Sequence, residues 1–431
     1  MIIKGLLLLF FLISIANNLY PKDEQLGFAF IPGYDLNTTT GGINGKTVFA
    51  NNVDELKSYM DSNDPLIIQF SGTMELSGMT PLRSNKTLIG IGDSARIING
   101  GLEIYKRSNI IIKNITFENS PDDCIKINQN SHHIWVDHCS FTDGPIADPK
   151  AESHDGLFDI TRGSSYITIS YCHFYNHSKN ILIGHSDSYT DDIGYLKVTL
   201  HHNWFDGTIQ RNPRVRFGEV HVFNNFYSSN SLYGIASTMD ADVVVEGNYF
   251  YNVSYPMYSG YAESGPGDII ERFNIYHNSG TPVTRGEAFD PTKYYSYYLD
   301  STNLIPMMIM KNAGAGSIKN IYIDTTIFSI NVSKPPIEEP VDNINSFNSN
   351  NSKIWDVQLN KFFLKINLKK EGYLSVNIYN VSGQKLFQLF DSFLYSGDYC
   401  FNIDKTRFNT GIYFAKIIFE DEIKIQKIII R

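Results

Sequence analysis

Cysteine, tryptophan and clustered basic residues are all scarce in this chain of 431 residues. The four cysteines are Cys124, Cys139, Cys172 and Cys400, too few for a disulfide scaffold in so long a chain. Lysine and arginine together number 36 against 45 aspartates and glutamates, a formal net charge of −9. With no basic block, nucleic acid is excluded as an expected partner. Long apolar runs are also missing. Gly5 to Ile15 is apolar but too short to span a bilayer, so no transmembrane segment is expected. That run follows Met1-Ile2-Ile3-Lys4 and precedes Ser14-Ile15-Ala16-Asn17, the pattern of an export signal over residues 1–20. A secreted protein, extracellular or attached to the cell surface, is the resulting expectation.

What the chain does have is strand-forming residues, with 42% hydrophobic content, 27 tyrosines and 28 phenylalanines. Six segments share one pattern: Asn109–Phe117, His133–Phe141, Tyr166–Phe174, Lys197–Phe205, Glu219–Tyr227 and Asp242–Phe250. Each alternates apolar residues and ends in an aromatic. Ile115, Cys139, Cys172, Asn203, Asn225 and Asn248 then fall in one column. The offsets of roughly 22 to 33 residues are those of a solenoid. A coil of that length cannot bury its own apolar face, but stacked coils can. The predicted fold is all-β, a right-handed parallel β-helix. Asn203, Asn225 and Asn248 are expected to form a ladder at a sharp bend. Cys139 and Cys172 share that column, and stacked thiols or a bridge are both open. A β-sandwich, with turns every 8–12 residues or so and no such column, fits less well.

Residues 21–330 are assigned to this solenoid. Val53–Met60 is predicted as a short helix in its cap, and Pro65–Gly72 as the entry strand. The longest insertion, Thr142 to Ser165, is where function should concentrate. A linker rich in Pro, Asn, Ser and acid follows over 331–352. Over 353–431 strands return at Phe362–Leu368, Leu374–Asn380, Gly397–Ile403 and Ile412–Phe419, predicting a small β-sandwich. Tyr373–Gln384, Thr410–Phe414 and the basic-apolar end Lys427–Arg431 resemble the C-terminal sorting domain of the Bacteroidetes type IX secretion system. The resemblance implies the secretion machinery as a partner. A carbohydrate-binding sandwich is the alternative, but no platform of tryptophans supports it.

The chemistry concentrates in the middle of the chain. Asp155 and Asp159 lie four apart at the end of the insertion, and Asp123 falls one coil earlier. Three carboxylates on one edge repel unless a cation sits among them. Oxygen ligands alone point to Ca²⁺ or Mg²⁺. His132, His133, His138 and His154 lie nearby, but their spacing matches no familiar zinc pattern. Lys179, Arg211 and Arg216 follow on later coils, with Arg214 and Arg216 on one face of a strand. Beside an acidic metal site, such cations describe a groove for a polyanion.

From about Gly27 to Tyr276 these motifs, in this order, resemble a pectate lyase of polysaccharide lyase family 1. Trp135-Val136-Asp137-His138 precedes Asp155-Gly156-Leu157-Phe158-Asp159. Then come Lys179–Gly184 and Arg211-Asn212-Pro213-Arg214-Val215-Arg216. The resemblance implies that Asp123, Asp155 and Asp159 bind calcium, that Lys179 and Arg216 bind polygalacturonate, and that Arg211 is the base of a β-elimination. An arginine normally stays protonated, so this role requires calcium and the neighbouring cations to weaken its hold on the proton. A monomer is expected. The rivals are a polygalacturonase, from Asp122-Asp123-Cys124-Ile125 and Gly184-His185, a pectin lyase without the aspartate cluster, and a non-catalytic glycan-binding solenoid.

Overall fold

A computed structural model describes residues 25–143, 154–317 and, apart from 361–362, 371, 382, 395–396, 403–409 and 421, residues 355–430. The export signal over 1–20 and the linker over 331–352 lie outside the described residues, as do residues 144–153 of the insertion.

The first part is a parallel β-helix of three faces. One face is a sheet of ten strands, running from Lys46–Phe49 to Asp268–Arg272. The other two are joined through the strand Arg96–Tyr105. Its first half pairs with Thr116–Glu118 on the second face, its second half with Ile125–Asn128 on the third. Every pairing within these faces is between successive coils and parallel. Like therefore stacks on like. In the first face Ile110, Ile134, Ile167, Val198, Val220, Val243 and Ile269 are consecutive partners, and all are fully buried. Each such side chain contributes about 1.5–3 kcal/mol by leaving water. Phe117, Phe141, Phe174, Phe205, Tyr227 and Phe250 form a second column, their rings 4.4 to 5.3 Å apart.

The bend between the first and second faces is made by residues in the left-handed region, among them His138, Tyr171, His202 and Asn224. The asparagine ladder follows directly. Asn203 Nδ2 donates to Asn225 Oδ1 at 3.0 Å, and Asn225 Nδ2 to Asn248 Oδ1 at 2.9 Å. The ladder continues to Asn274, whose Oδ1 accepts from Asn248 at 3.0 Å. Above it Cys139 and Cys172 are buried free thiols, so the bridge left open by the sequence is not formed. The predicted helix forms at Val53–Met60, capped by the Asn52 side chain, and the entry strand at Leu66–Phe70.

Beyond Gly286 no further coil is added among the described residues. The chain instead runs back across the stack. Phe289 N donates to Asp242, Tyr294 to Glu219, and Tyr295 pairs with Thr199. Asp300 binds His202 at 2.7 Å, and the helix Ile305–Asn312 covers Phe226 and Tyr249. Gly314, Ala315 and Gly316 then donate to Tyr171, Ser140 and Asn114. This strap passes over the stack twice, from Asp242 back to Thr199 and then, after a return to Phe273, down to Asn114.

Residues 355–430 form two antiparallel sheets, one of three strands and one of four. The predicted strands appear at Phe363–Leu368, Gly372–Asn380, Gly397–Asn402 and Gly411–Phe419. Trp355–Asn360, Lys385–Leu394 and Glu422–Ile430 are additional.

Asn225 is fully buried, and its amide satisfies the Asn203 N–H at 2.8 Å as well as its ladder partners. Asn225→Ala should cost ~3 kcal/mol or more, since several buried groups lose partners at once. Cys172→Ala, in the same column, should cost less than half of that. Urea unfolding of the two variants beside the parent measures the difference.

Candidate active site

The third face positions the functional side chains. Its register sets Ile125 beside Phe158, Phe158 beside Ile181, and Leu182 beside Arg214. Residues at these strands therefore come from four successive coils: Asp123, then Asp155 and Asp159, then Lys179, then Arg211 and Arg216. Close approach of the Asp123 backbone depends on Gly101, where a Cβ would lie 2.0 Å from the Asp123 carbonyl oxygen.

One carboxylate oxygen each from Asp122, Asp123 and Asp155 falls within 4.8 Å of the others. Asp122 had entered the sequence reading only through a hydrolase-like dipeptide. Its place in the cluster follows from the bend that also delivers Asp123. Asp159 meets the cluster from the other side. A Cβ on Gly156 would lie 3.0 Å from both Asp123 Oδ1 and Asp159 Oδ1, so the glycine keeps a small space between the two carboxylates. Those two oxygens are buried and accept no hydrogen bond among the described residues. Lys126 Nζ lies 2.8 Å from Asp122 and 3.0 Å from Asp123. Burial, countered by Lys126 and reinforced by Asp122 and Asp155, still pushes the Asp123 carboxyl up to about 7. Burial and the neighbouring Asp123 raise Asp159 well above the usual carboxylate range, against the pull of Arg211. Carboxylates held this way favour a bound cation, and an all-oxygen donor set suits a hard divalent ion.

The cationic side lies on the next coils. Lys179 bridges to Gln210, and its carbonyl accepts from Leu157 N at 3.2 Å. Arg211 sits in the left-handed region at φ 61°, and its Nε has no hydrogen-bond partner among the described residues. Arg216 is turned to Asp187, with Nε 2.6 Å from Oδ1, and to the Gly184 carbonyl at 3.2 Å. Arg214 shares its face as expected. It donates to Ser264 Oγ at 2.5 Å, and Ser264 in turn donates to Asp187 at 2.6 Å. Arg214, Ser264, Asp187 and Arg216 are thus one hydrogen-bonded chain, of which the sequence pattern marks the two arginines but not Ser264.

Tyr233 was missed as well. It is fully buried and its hydroxyl has no partner among the described residues. Burial pushes it up to about 12, against the field of Arg211 and Arg214. No motif marks it, because it reaches the arginines only through stacking of the next coil. The four histidines do not converge. His132 and His133 pair with each other, His138 with Asp137 and His154 with Asp143. Among the described residues the metal-compatible group contains carboxylates only.

A parallel solenoid whose groove sets carboxylates on two adjacent coils beside cationic side chains on the following two defines a class of protein that handles an acidic polymer. Residues 8–318 match the family model for pectate lyase, and residues 360–431 match that for a secretion system C-terminal sorting domain. A pectate trisaccharide-lyase from a Thermotoga species is 38% identical over 340 residues, covering 69% of this chain and 90% of that protein. One from Bacillus licheniformis is 34% identical over 306 residues, covering 68% of this chain and 86% of its own length. A crystal structure of a Bacillus pectate lyase in complex with trigalacturonate superposes with a TM-score of 0.62 at 26% identity, covering 68% of this chain and all of that one. The chain belongs to the pectate lyase family. Its sorting domain marks it as a secreted or cell-surface protein, and among the described residues no helix is long and apolar enough to cross a membrane.

Asp159 carries a charge that the fold alone disfavours. Asp159→Asn should raise the thermal unfolding midpoint in chelator, by the equivalent of ~1 kcal/mol or more. Added calcium should raise the midpoint of the parent further and leave that of the variant unchanged. Differential scanning fluorimetry with and without calcium reads both effects.

Proposed function

We propose that this pectate lyase cleaves polygalacturonate by calcium-assisted β-elimination, leaving a 4,5-unsaturated sugar end. The observation that carries the reading is the pair of buried, unpartnered oxygens on Asp123 and Asp159, facing each other across Gly156 and close to Arg211. Buried carboxylate oxygens without donors are costly unless a cation satisfies them. Asp123, Asp155 and Asp159 are the proposed calcium ligands, and Asp122 is within reach of the same ion. A calcium ion held there supplies Lewis-acid withdrawal of charge from the substrate's C6 carboxylate.

The chain's own residues do the rest. Lys179 and Arg216 bind the acidic polymer, and the Asp187 contact fixes the plane of the Arg216 guanidinium. Arg211, in neutral form, takes the C5 proton. The C5–H electron pair becomes the C4–C5 double bond, and the C4–O pair leaves with the departing sugar, whose oxygen then gains a proton. The Arg211 Nε has no partner among the described residues, whereas the Arg216 Nε is paired with Asp187. Positive charge on Arg214 and Arg216 nearby stabilises the developing enolate. The proposed organisation is an export signal at 1–20, a catalytic solenoid at 21–330, a linker at 331–352 and a sorting domain at 353–431, acting as a monomer.

Release of unsaturated product from polygalacturonate, followed by ultraviolet absorbance, should require calcium and stop on chelation. Activity that persists in chelator would overturn the calcium reading. Arg211→Lys should lower kcat by about 10²–10⁴-fold while the KM for polygalacturonate changes little. Near-parental turnover in that variant would show that Arg211 is not the base.

A further inference from the structure

Asp143 and His177 belong to none of the motifs above, yet both are buried beside the acidic cluster, with side chains 9% and 2% exposed. Asp143 directly follows the strand Ser140–Thr142, at the start of the long insertion, and His154 lies 11 residues further on within it. Asp143 Oδ1 accepts from His154 Nδ1 at 3.1 Å. Its other oxygen pairs with Nδ1 of His177, which arrives from the following coil. The far nitrogen of that ring, Nε2, donates to the backbone carbonyl of Asp155 at 2.7 Å. Both ring nitrogens of His177 therefore face oxygen, and its orientation is fixed from two sides.

The carbonyl held in this way belongs to the proposed ligand that the fold itself supports least. Asp123 is enclosed, and Asp159 lies within the strand Phe158–Ile160. Asp155 is exposed and precedes that strand, yet its carboxylate stays within 4.8 Å of those of Asp122 and Asp123. A loop residue can be so placed only if its backbone is tethered, and the contact from His177 supplies a tether.

We propose that Asp143 and His177 are a positioning pair that presets the Asp155 arm for a divalent cation, and so govern how tightly the site takes the metal. The inference rests on the calcium reading given above. Neither residue touches the reacting sugar in this scheme. Loss of the pair should change the metal requirement, with the rate at saturating metal preserved.

The test is calorimetric titration of the chelator-treated, full-length protein with calcium. His177→Ala should weaken calcium binding about ten- to a hundredfold, as loss of a buttress behind a metal ligand does. Turnover should return to within about threefold of the parent once calcium is saturating. The unfolding midpoint in chelator should fall, because the Asp143 carboxylate and the Asp155 carbonyl each lose a buried partner, so the titration is run well below that midpoint on folded protein. His177→Gln, which keeps a donor able to reach the Asp155 carbonyl, should recover part of the lost affinity. A folded His177→Ala with calcium affinity within about twofold of the parent overturns the pair, as does a loss of turnover that saturating calcium fails to restore. If His177→Ala does not fold, Asp143→Ala carries the same expectations. A parent that takes up no calcium overturns the earlier reading instead, which separates the two failures.

Discussion

The backbone hydrogen-bond ladder between successive coils is the interaction on which everything else depends. Because it is parallel and keeps its register, the nearest neighbours of a side chain are residues one coil away, some 22 to 33 positions along the chain in the middle of the stack. Ile stacks on Ile, Phe on Phe and Asn on Asn, and each column is buried as a unit. The same rule applied at the third face gathers residues that are dispersed in the sequence. Asp123, Asp155, Lys179 and Arg211 span almost ninety positions and yet lie at one edge because their strands are consecutive.

This arrangement sets a conflict between stability and chemistry. The hydrophobic columns and the asparagine ladder satisfy their own requirements. The acidic cluster does not, since two buried oxygens have no donor among the described residues and burial raises the carboxyls that carry them. Lys126 relieves part of the repulsion from within the same coil. The cationic half is uneven in the opposite sense, because Arg216 is tied to Asp187 while Arg211 is not. Charges that the solenoid leaves unbalanced are those that a metal and an acidic substrate can complete.

How much of this was legible in the sequence depended on whether the signal lay within one coil. The repeat pattern, the ladder asparagines and the spacing of Asp155 and Asp159 are local, and the fold follows from them. Asn274 was legible too, since Asp268–Tyr276 repeats the pattern of Asp242–Phe250, but it was left out. Asp122 and Lys126 flank Asp123 within one coil, whereas Tyr233 and the Asp143–His177 pair carry no local signature. Their importance arises from register across an insertion whose length the sequence does not translate into geometry. In the C-terminal sheets, Lys385–Leu394 escaped because its pairing with Gly372–Asn380 shifts register twice, which spoils the alternation. Glu422–Ile430 alternates cleanly and was read only as a basic-apolar end.

The strap that returns over the coils changes what kind of object the solenoid is. A stack whose repeats touch only their neighbours can fray from an end, one coil at a time. Here the segment that follows the last coil is fastened to coils near the first, down to Asn114. Detaching the terminal coil therefore also means releasing contacts along most of the barrel's length. The stack from Asn114 onward is held like a clasped belt, although its chain is open, and those coils should separate together or not at all.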